Sequence, residues 1–156
     1  MNIWPVTEAL LARLKVKFPG LHVEYFPEKP DEYRLNHPAG ALLVSYGKST
    51  FGPVQDVGAV LQAQTARFSV TVVMRQLNGS NGAVAVLDLL RQALGGWRPP
   101  DCRRAMWMVS DTFIGQVAGL WQYDLMVATE TVFVQDSEPD DGPLLKKVEY
   151  VNDGTS

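Results

Sequence analysis

The run Gly47-Lys48-Ser49-Thr50 is where the sequence comes nearest to phosphate chemistry. A phosphate-cradling loop needs a glycine five positions before that of Gly-Lys, so that successive backbone N–H groups can wrap the anion. Leu42 stands there, and Phe51-Gly52-Pro53 takes the place of the helix that should follow. The run therefore reads as a solvated loop. His22 and His37 are the two histidines, fifteen residues apart and without a metal-ligating spacing around either. Cys102 is followed by Arg103 and Arg104, whose charges can acidify a thiol. A cysteine nucleophile still needs a base, and the two histidines are distant in sequence, so Cys102 reads as an incidental thiol. Asp136, Glu138, Asp140 and Asp141 lack the spacing and closing glutamate of a calcium loop and read as a solvated turn. Trp97, Arg98, Arg103 and Arg104 make a short aromatic and basic group. Such groups stack bases or anchor protein partners, and with a short patch on a net acidic chain a protein partner fits at least as well as a base.

No triad, carboxylate pair, metal set or glycine-rich phosphate loop is assembled. The expectation is therefore a protein that is not an enzyme, with no catalytic, cofactor or metal residues. The class weighed against it is a small nucleotide-binding protein or enzyme that uses Gly47-Lys48-Ser49-Thr50.

The elements that must position these residues follow from periodicity. Val6, Leu10, Leu14 and Phe18 recur every fourth residue with Leu11 beside them, predicting a helix over 7–18 with Thr7 as its cap. A short strand is expected over 22–26, a proline-punctuated loop over 27–38, and a strand over 41–46. Gly47, Gly52, Pro53 and Gly58 then predict one long loop over 47–63. Phe68, Val70, Val72 and Met74 alternate with Arg67, Ser69, Thr71 and Arg75, the signature of a half-buried strand over 67–77. A turn at 78–82 leads to a helix over 83–94, capped by Asn81 or Ser80 and closed by Gly95-Gly96. Its buried stripe is Ala83, Val86, Leu87, Leu90 and Leu94. Strands follow over 104–109 and 121–135, the last with Trp121, Tyr123, Leu125, Val127 and Phe133 on one face. Grouped strands with two helices predict an α+β fold, a mainly antiparallel sheet with both helices packed on one face. Residues 1–135 make the single domain. Residues 136–156 make an acidic, irregular C-terminal arm with a short strand at 145–151.

Composition sets the bounds. A chain of 156 residues is one domain's worth. Fourteen basic and 17 acidic residues give a net charge of -3, which lacks the basic excess of a specific nucleic-acid binder. A 46% hydrophobic content fits a globular protein, and a single cysteine excludes an intrachain disulfide. The start Met1-Asn2-Ile3-Trp4-Pro5-Val6 lacks a signal-peptide pattern, and no apolar run reaches the ~20 residues of a spanning helix, so no membrane role is expected.

Taken in order, these segments resemble the small tail-completion proteins of Mu-like phages and prophages, which are similar to phage tail terminators. The resemblance is carried by 38–44 (Pro-Ala-Gly-Ala-Leu-Leu-Val) and by Gln64 ahead of 68–73. Arg75-Gln76-Leu77 and the helix with Leu87, Arg91 and Ala93-Leu94 continue it. Its exit Gly95-Gly96-Trp97-Arg98-Pro99 and then Trp121-Gln122-Tyr123 complete the match. It covers about residues 5–135 and leaves out the acidic arm.

What the resemblance implies is an α+β subunit that forms a homo-oligomeric ring, commonly a hexamer. The ring caps the tail tube, meets the tube or sheath protein, and offers a surface to a head-completion protein. It implies assembly in the host cytoplasm followed by a place in the virion tail, without cofactor or catalysis. A head-tail connector or tail-assembly protein is the neighbouring alternative. Phe51 and Val54, in the expected loop, and Trp97 and Arg98, after the second helix, are the expected interface residues.

Overall fold

The fourfold apolar spacing near the N-terminus winds into α1 (Ile3–Lys17), with Val6, Leu10 and Leu14 buried and Phe18 closing the stripe. The helix starts a turn earlier than expected. Asn2 is its N-cap, and Pro5 falls in the first turn, where a missing N–H costs nothing. Thr7 is thus not a cap: it is buried inside the helix, and its hydroxyl donates to the Ile3 carbonyl at 2.9 Å. The computed structural model describes residues 2–55 and 58–136. Arm residues 137–156, with the strand expected at 145–151, lie outside the described residues.

Five strands follow the expected order around a second helix. They are β1 (His22–Tyr25), β2 (Gly40–Phe51), β3 (Leu61–Met74), β4 (Trp107–Val117) and β5 (Leu120–Val134), with α2 (Ala83–Leu94) between β3 and β4. Across the sheet the order is β1-β2-β3-β5-β4. Among the described residues only β1 and β2 run parallel; the other three pairs are antiparallel. The fold is α+β, as the grouping of strands predicts.

Both helices pack on one face. Leu42 and Val44 of β2, Phe68, Val70, Val72 and Met74 of β3, and Leu125 and Val127 of β5 meet Leu10 and Leu14 of α1 and Leu87, Leu90 and Leu94 of α2 in one core. Burying side chains of this size stabilises by about 1.5–3 kcal/mol each. On the opposite face a smaller cluster of Ala41, Leu43 and Val73 lies beneath Tyr33 and Leu35, from the 27–39 connection, and Leu120. Among the described residues, no helix lies on this opposite face.

Three strands are longer than expected. β2 runs on through Phe51, and β3 begins at Leu61, so the expected loop over 47–63 shrinks to the residues between these ends. A bulge between Tyr46 and Lys48 shifts the register by one. The alternation is therefore broken at the point where sequence reading lost the strand. β4 runs to Val117, and the two-residue turn Ala118-Gly119, with φ of 53° and 78°, joins it to β5. Two central residues at positive φ give the turn that suits a hairpin's twist.

The start of α2 also differs. Gly82, not Asn81 or Ser80, is its N-cap, and no side chain caps it. The Ala83 N–H donates instead to the Gln76 carbonyl at 2.8 Å. A β-carbon at position 82 would lie 2.5 Å from the Asn78 carbonyl oxygen, so only glycine fits. The helix leaves through Gly95, its C-cap, and Gly96 at φ 85°.

Candidate functional site

The residues with chemical potential are not gathered into a pocket. Gly47, Lys48, Ser49 and Thr50 lie within β2, where Lys48, Ser49 and Thr50 pair with Arg67, Ala66 and Thr65 of β3. An extended strand committed to a ladder cannot curl its N–H groups around phosphate, so the run is neither a solvated loop nor an anion cradle. His37 accepts hydrogen bonds at Nδ1 from the backbone N–H groups of Ala39 and Gly40, at 3.0 and 3.2 Å, and so shapes the entry to β2. His22 pairs with Glu24 at 2.8 Å on the exposed edge strand β1.

Cys102 is buried, and that burial pushes its thiol above the usual range, against a weaker opposing effect of a hydrogen bond with Thr129. Arg103 and Arg104, which could have acidified it, are both exposed, while Cys102 is buried. Among the described residues, no three His, Cys, Asp or Glu side chains are grouped to hold a metal ion. No helix among them is long and apolar enough to cross a membrane.

What the fold does assemble is exposed apolar surface at the two ends of the sheet. At one end, Phe51 closes β2 and remains 51% exposed. Its ring meets that of Phe133 on β5 edge to face, with centroids 6.0 Å apart. Val54, just beyond, and Val134 are also exposed. The sheet outruns the helices here, so among the described residues no helix covers these side chains. A polar chain lies just inside: the Tyr46 hydroxyl donates to the Ser49 hydroxyl at 2.7 Å, and Gln64 Nε2 donates to the same oxygen at 3.0 Å. Gln64 Oε1 is buried without a hydrogen-bond partner.

At the other end, the β4–β5 hairpin presents Phe113, Ile114 and Val117, all at least half exposed. Phe113 packs against Tyr123 and Trp121, at 5.2 and 6.2 Å between centroids. Among the described residues β4 is an outermost strand, with no described strand beside one row of its N–H and C=O groups. It carries two register shifts, one between Met108 and Ser110 and one between Phe113 and Gly115.

Of the four expected interface residues, Phe51 and Val54 fall together at the first end. Trp97 instead turns inward: it is partly buried against the main core, and the Arg13 guanidinium lies 5.6 Å over its ring. Its backbone is fixed by Met106, whose N–H donates to the Trp97 carbonyl at 2.7 Å. Arg98, the next residue, stays exposed. The sequence reading did not single out the exposed Phe133, Val134, Phe113 and Ile114. Phe133 could have been found from its place at the tail of the apolar face of β5. Ile114 is an unmatched residue in a bulge and leaves no periodic trace.

The family model described as Gp37 protein matches residues 10–152, most of the chain, and the chain belongs to that family. No curated protein sequence matches it significantly. Among solved structures, the fold is similar to that of a chain in the virion of a native gene transfer agent particle. The two share 16% identity at a TM-score of 0.51, over 83% of this chain and 99% of that one. At this identity the likeness is one of fold.

Proposed function

We propose that this member of the Gp37 family, a phage-related family, is a structural protein of a phage-type virion that works as a tail terminator. Copies join side by side into a ring, commonly six-fold. The ring caps the tail tube, contacts tube or sheath protein, and presents its other rim to a head-completion protein. Assembly takes place in the host cytoplasm and the ring ends in the virion tail. The similarity of fold to a component of a gene transfer agent virion supports this reading.

One observation carries it: two unlike apolar patches, Phe51 with Phe133 and Phe113 with Ile114, at opposite ends of one sheet. Two different surfaces on one subunit permit a head-to-tail contact, and head-to-tail contacts generate rings when the rotation closes. Such a protein works by shape and contact, and needs no bond-making.

Sedimentation velocity over a concentration series, with and without tube protein, tests the reading. The expected result is a ring-sized species that grows in when tube ends are supplied, seen as annuli in negative stain. A strict monomer that does not co-sediment with tubes overturns it. Binding to head particles in preference to tubes would replace it with the connector role.

A further inference from the structure

Between the first turn of α1, the end of β1 and the middle of β2 lies a cleft of about 420 Å³. That is within the roughly 300–1,000 Å³ of ligand clefts. Four aromatic rings line it, those of Trp4, Tyr25, Phe26 and Tyr46. Trp4 is 57% exposed, and Phe26 and Tyr46 are exposed too, although the core residue Val44 lies between them. The rings are held in place. Trp4 packs against Tyr25 with centroids 5.1 Å apart. The Phe26 N–H donates to the Val44 carbonyl at 2.8 Å, which extends the pairing of β1 with β2. Tyr46 meets Phe68 edge to face at 5.7 Å, and its hydroxyl is held by Ser49. A guest therefore finds the aromatic surface already ordered.

The charge around these rings has one sign. Glu28 lines the cleft, and no lysine or arginine among the described residues does. Glu8 follows Trp4 by four residues on α1 and so shares its side of the helix. Burial, with a further contribution from the Glu8 charge, raises the pKa of the Tyr25 hydroxyl, so that charge also acts on the rings of the cleft. Among the described residues neither Glu8 nor Glu28 is in an ion pair. Aromatic faces attract cations, and free carboxylates beside them add to the pull. An apolar guest would fill the cleft and leave both carboxylates unmatched. A guanidinium matches both features: it is planar, stacks on rings, sheds water readily and binds carboxylates through several N–H groups. We propose that this cleft receives the guanidinium of an arginine presented by a protein partner, seated against the aromatic rings with its charge toward Glu8 and Glu28. The proposal goes beyond the tail reading and stands whether or not the protein forms a ring.

The test is a titration of the 15N-labelled full-length protein with acetyl-Gly-Arg-Gly-amide, followed by NMR at the indole N–H of Trp4. That signal is assigned by its loss in Trp4→Phe. A control peptide carries citrulline, the neutral isostere of arginine. The arginine peptide should shift the Trp4 signal saturably in the millimolar range, and the citrulline peptide should bind about fivefold or more weakly. The variant Glu8→Gln/Glu28→Gln, altered at two exposed positions, should hold the arginine peptide no better than the parent holds citrulline, while keeping the parent's thermal midpoint. Equal binding of the two peptides to the parent protein overturns the proposal and leaves an apolar groove. So does the absence of a saturable shift at Trp4. Tighter binding of tetramethylammonium chloride than of the arginine peptide overturns it as well, because the cleft would then be a small-cation site.

Discussion

Replacing Phe51 with alanine separates assembly from folding more sharply than any other change at the sheet ends. In the monomer, Phe51 contributes its contact with Phe133 and the buried part of its ring. Its 51% exposure means that about half the ring is already in water. An aromatic pair is worth about 0.5–1.5 kcal/mol, and the buried half of the ring roughly as much again, so the monomer should lose about 1–3 kcal/mol. A neighbouring subunit seated on this end would remove the exposed half from water. A phenylalanine presents on the order of 200 Å², which leaves about 100 Å² for the contact. At ~25 cal/mol per Å² that is about 2.5 kcal/mol, or roughly 50-fold or more in affinity for each contact. The assay is paired: urea unfolding for the monomer, and sedimentation velocity with tube protein for assembly. The expected result is a folded monomer with a lowered midpoint, whose ring forms only at much higher concentration. A variant that folds, and assembles at the concentration of the parent, refutes the placing of this end in the contact.

Further expectations follow from the same physical picture. Gly40→Ala puts a methyl group 2.5 Å from the Val73 carbonyl oxygen and against Met74 Sδ, so it should cost about 2 kcal/mol or more in urea unfolding. Gly20→Ala meets no atom within 4 Å and should change stability by less than about 0.5 kcal/mol. Cys102 should react with iodoacetamide at neutral pH far more slowly in the folded protein than in urea, because burial both hides the thiol and raises its pKa; equal rates would contradict the burial. Burial also raises the pKa of Tyr25 and Tyr33, helped by Glu8 and Glu24. For all three groups the folded state holds its proton longer than the unfolded state. The stability they contribute is present below the unfolded pKa values and is lost as pH climbs through those values toward the raised folded ones, a fall visible as a declining thermal midpoint. Calorimetry with ATP and Mg²⁺ should give no saturable heat, since 47–50 form a strand; heat abolished by Lys48→Ala would restore the nucleotide reading.

The element order, both buried helix stripes and the inward face of β3 were legible because each obeys a simple period over several residues. Phe68, Val70, Val72 and Met74 are all buried, as their alternation demands. What escaped reading shares a cause. Around Tyr46 to Phe51 a bulge breaks the alternation, and outside the helix-covered core polar residues occupy both faces, so there is no contrast to detect. The outer half of β4 is exposed on both faces and carries its own register shift. Thr7 was mistaken for a cap because a threonine before an apolar stripe looks the same whether a helix begins there or one turn earlier. Of the expected contact residues, Phe51 and Val54 were placed on an exposed end for a reason that failed, since the loop proposed to hold them is largely strand. Trp97 was named for its type, and its ring found the core.

The two supernumerary residues in β4 bear on how the protein fares when it is made faster than it is used. A straight, evenly spaced border would let any extended polypeptide zip along it, and copies would pile up into fibres. A border interrupted near Val109 and again near Ile114 offers only short matching stretches. A chance visitor is held briefly and released, whereas a partner shaped to the same interruptions can dock along the whole length. Restoring the regular spacing by deleting either residue should therefore trade solubility for indiscriminate stickiness.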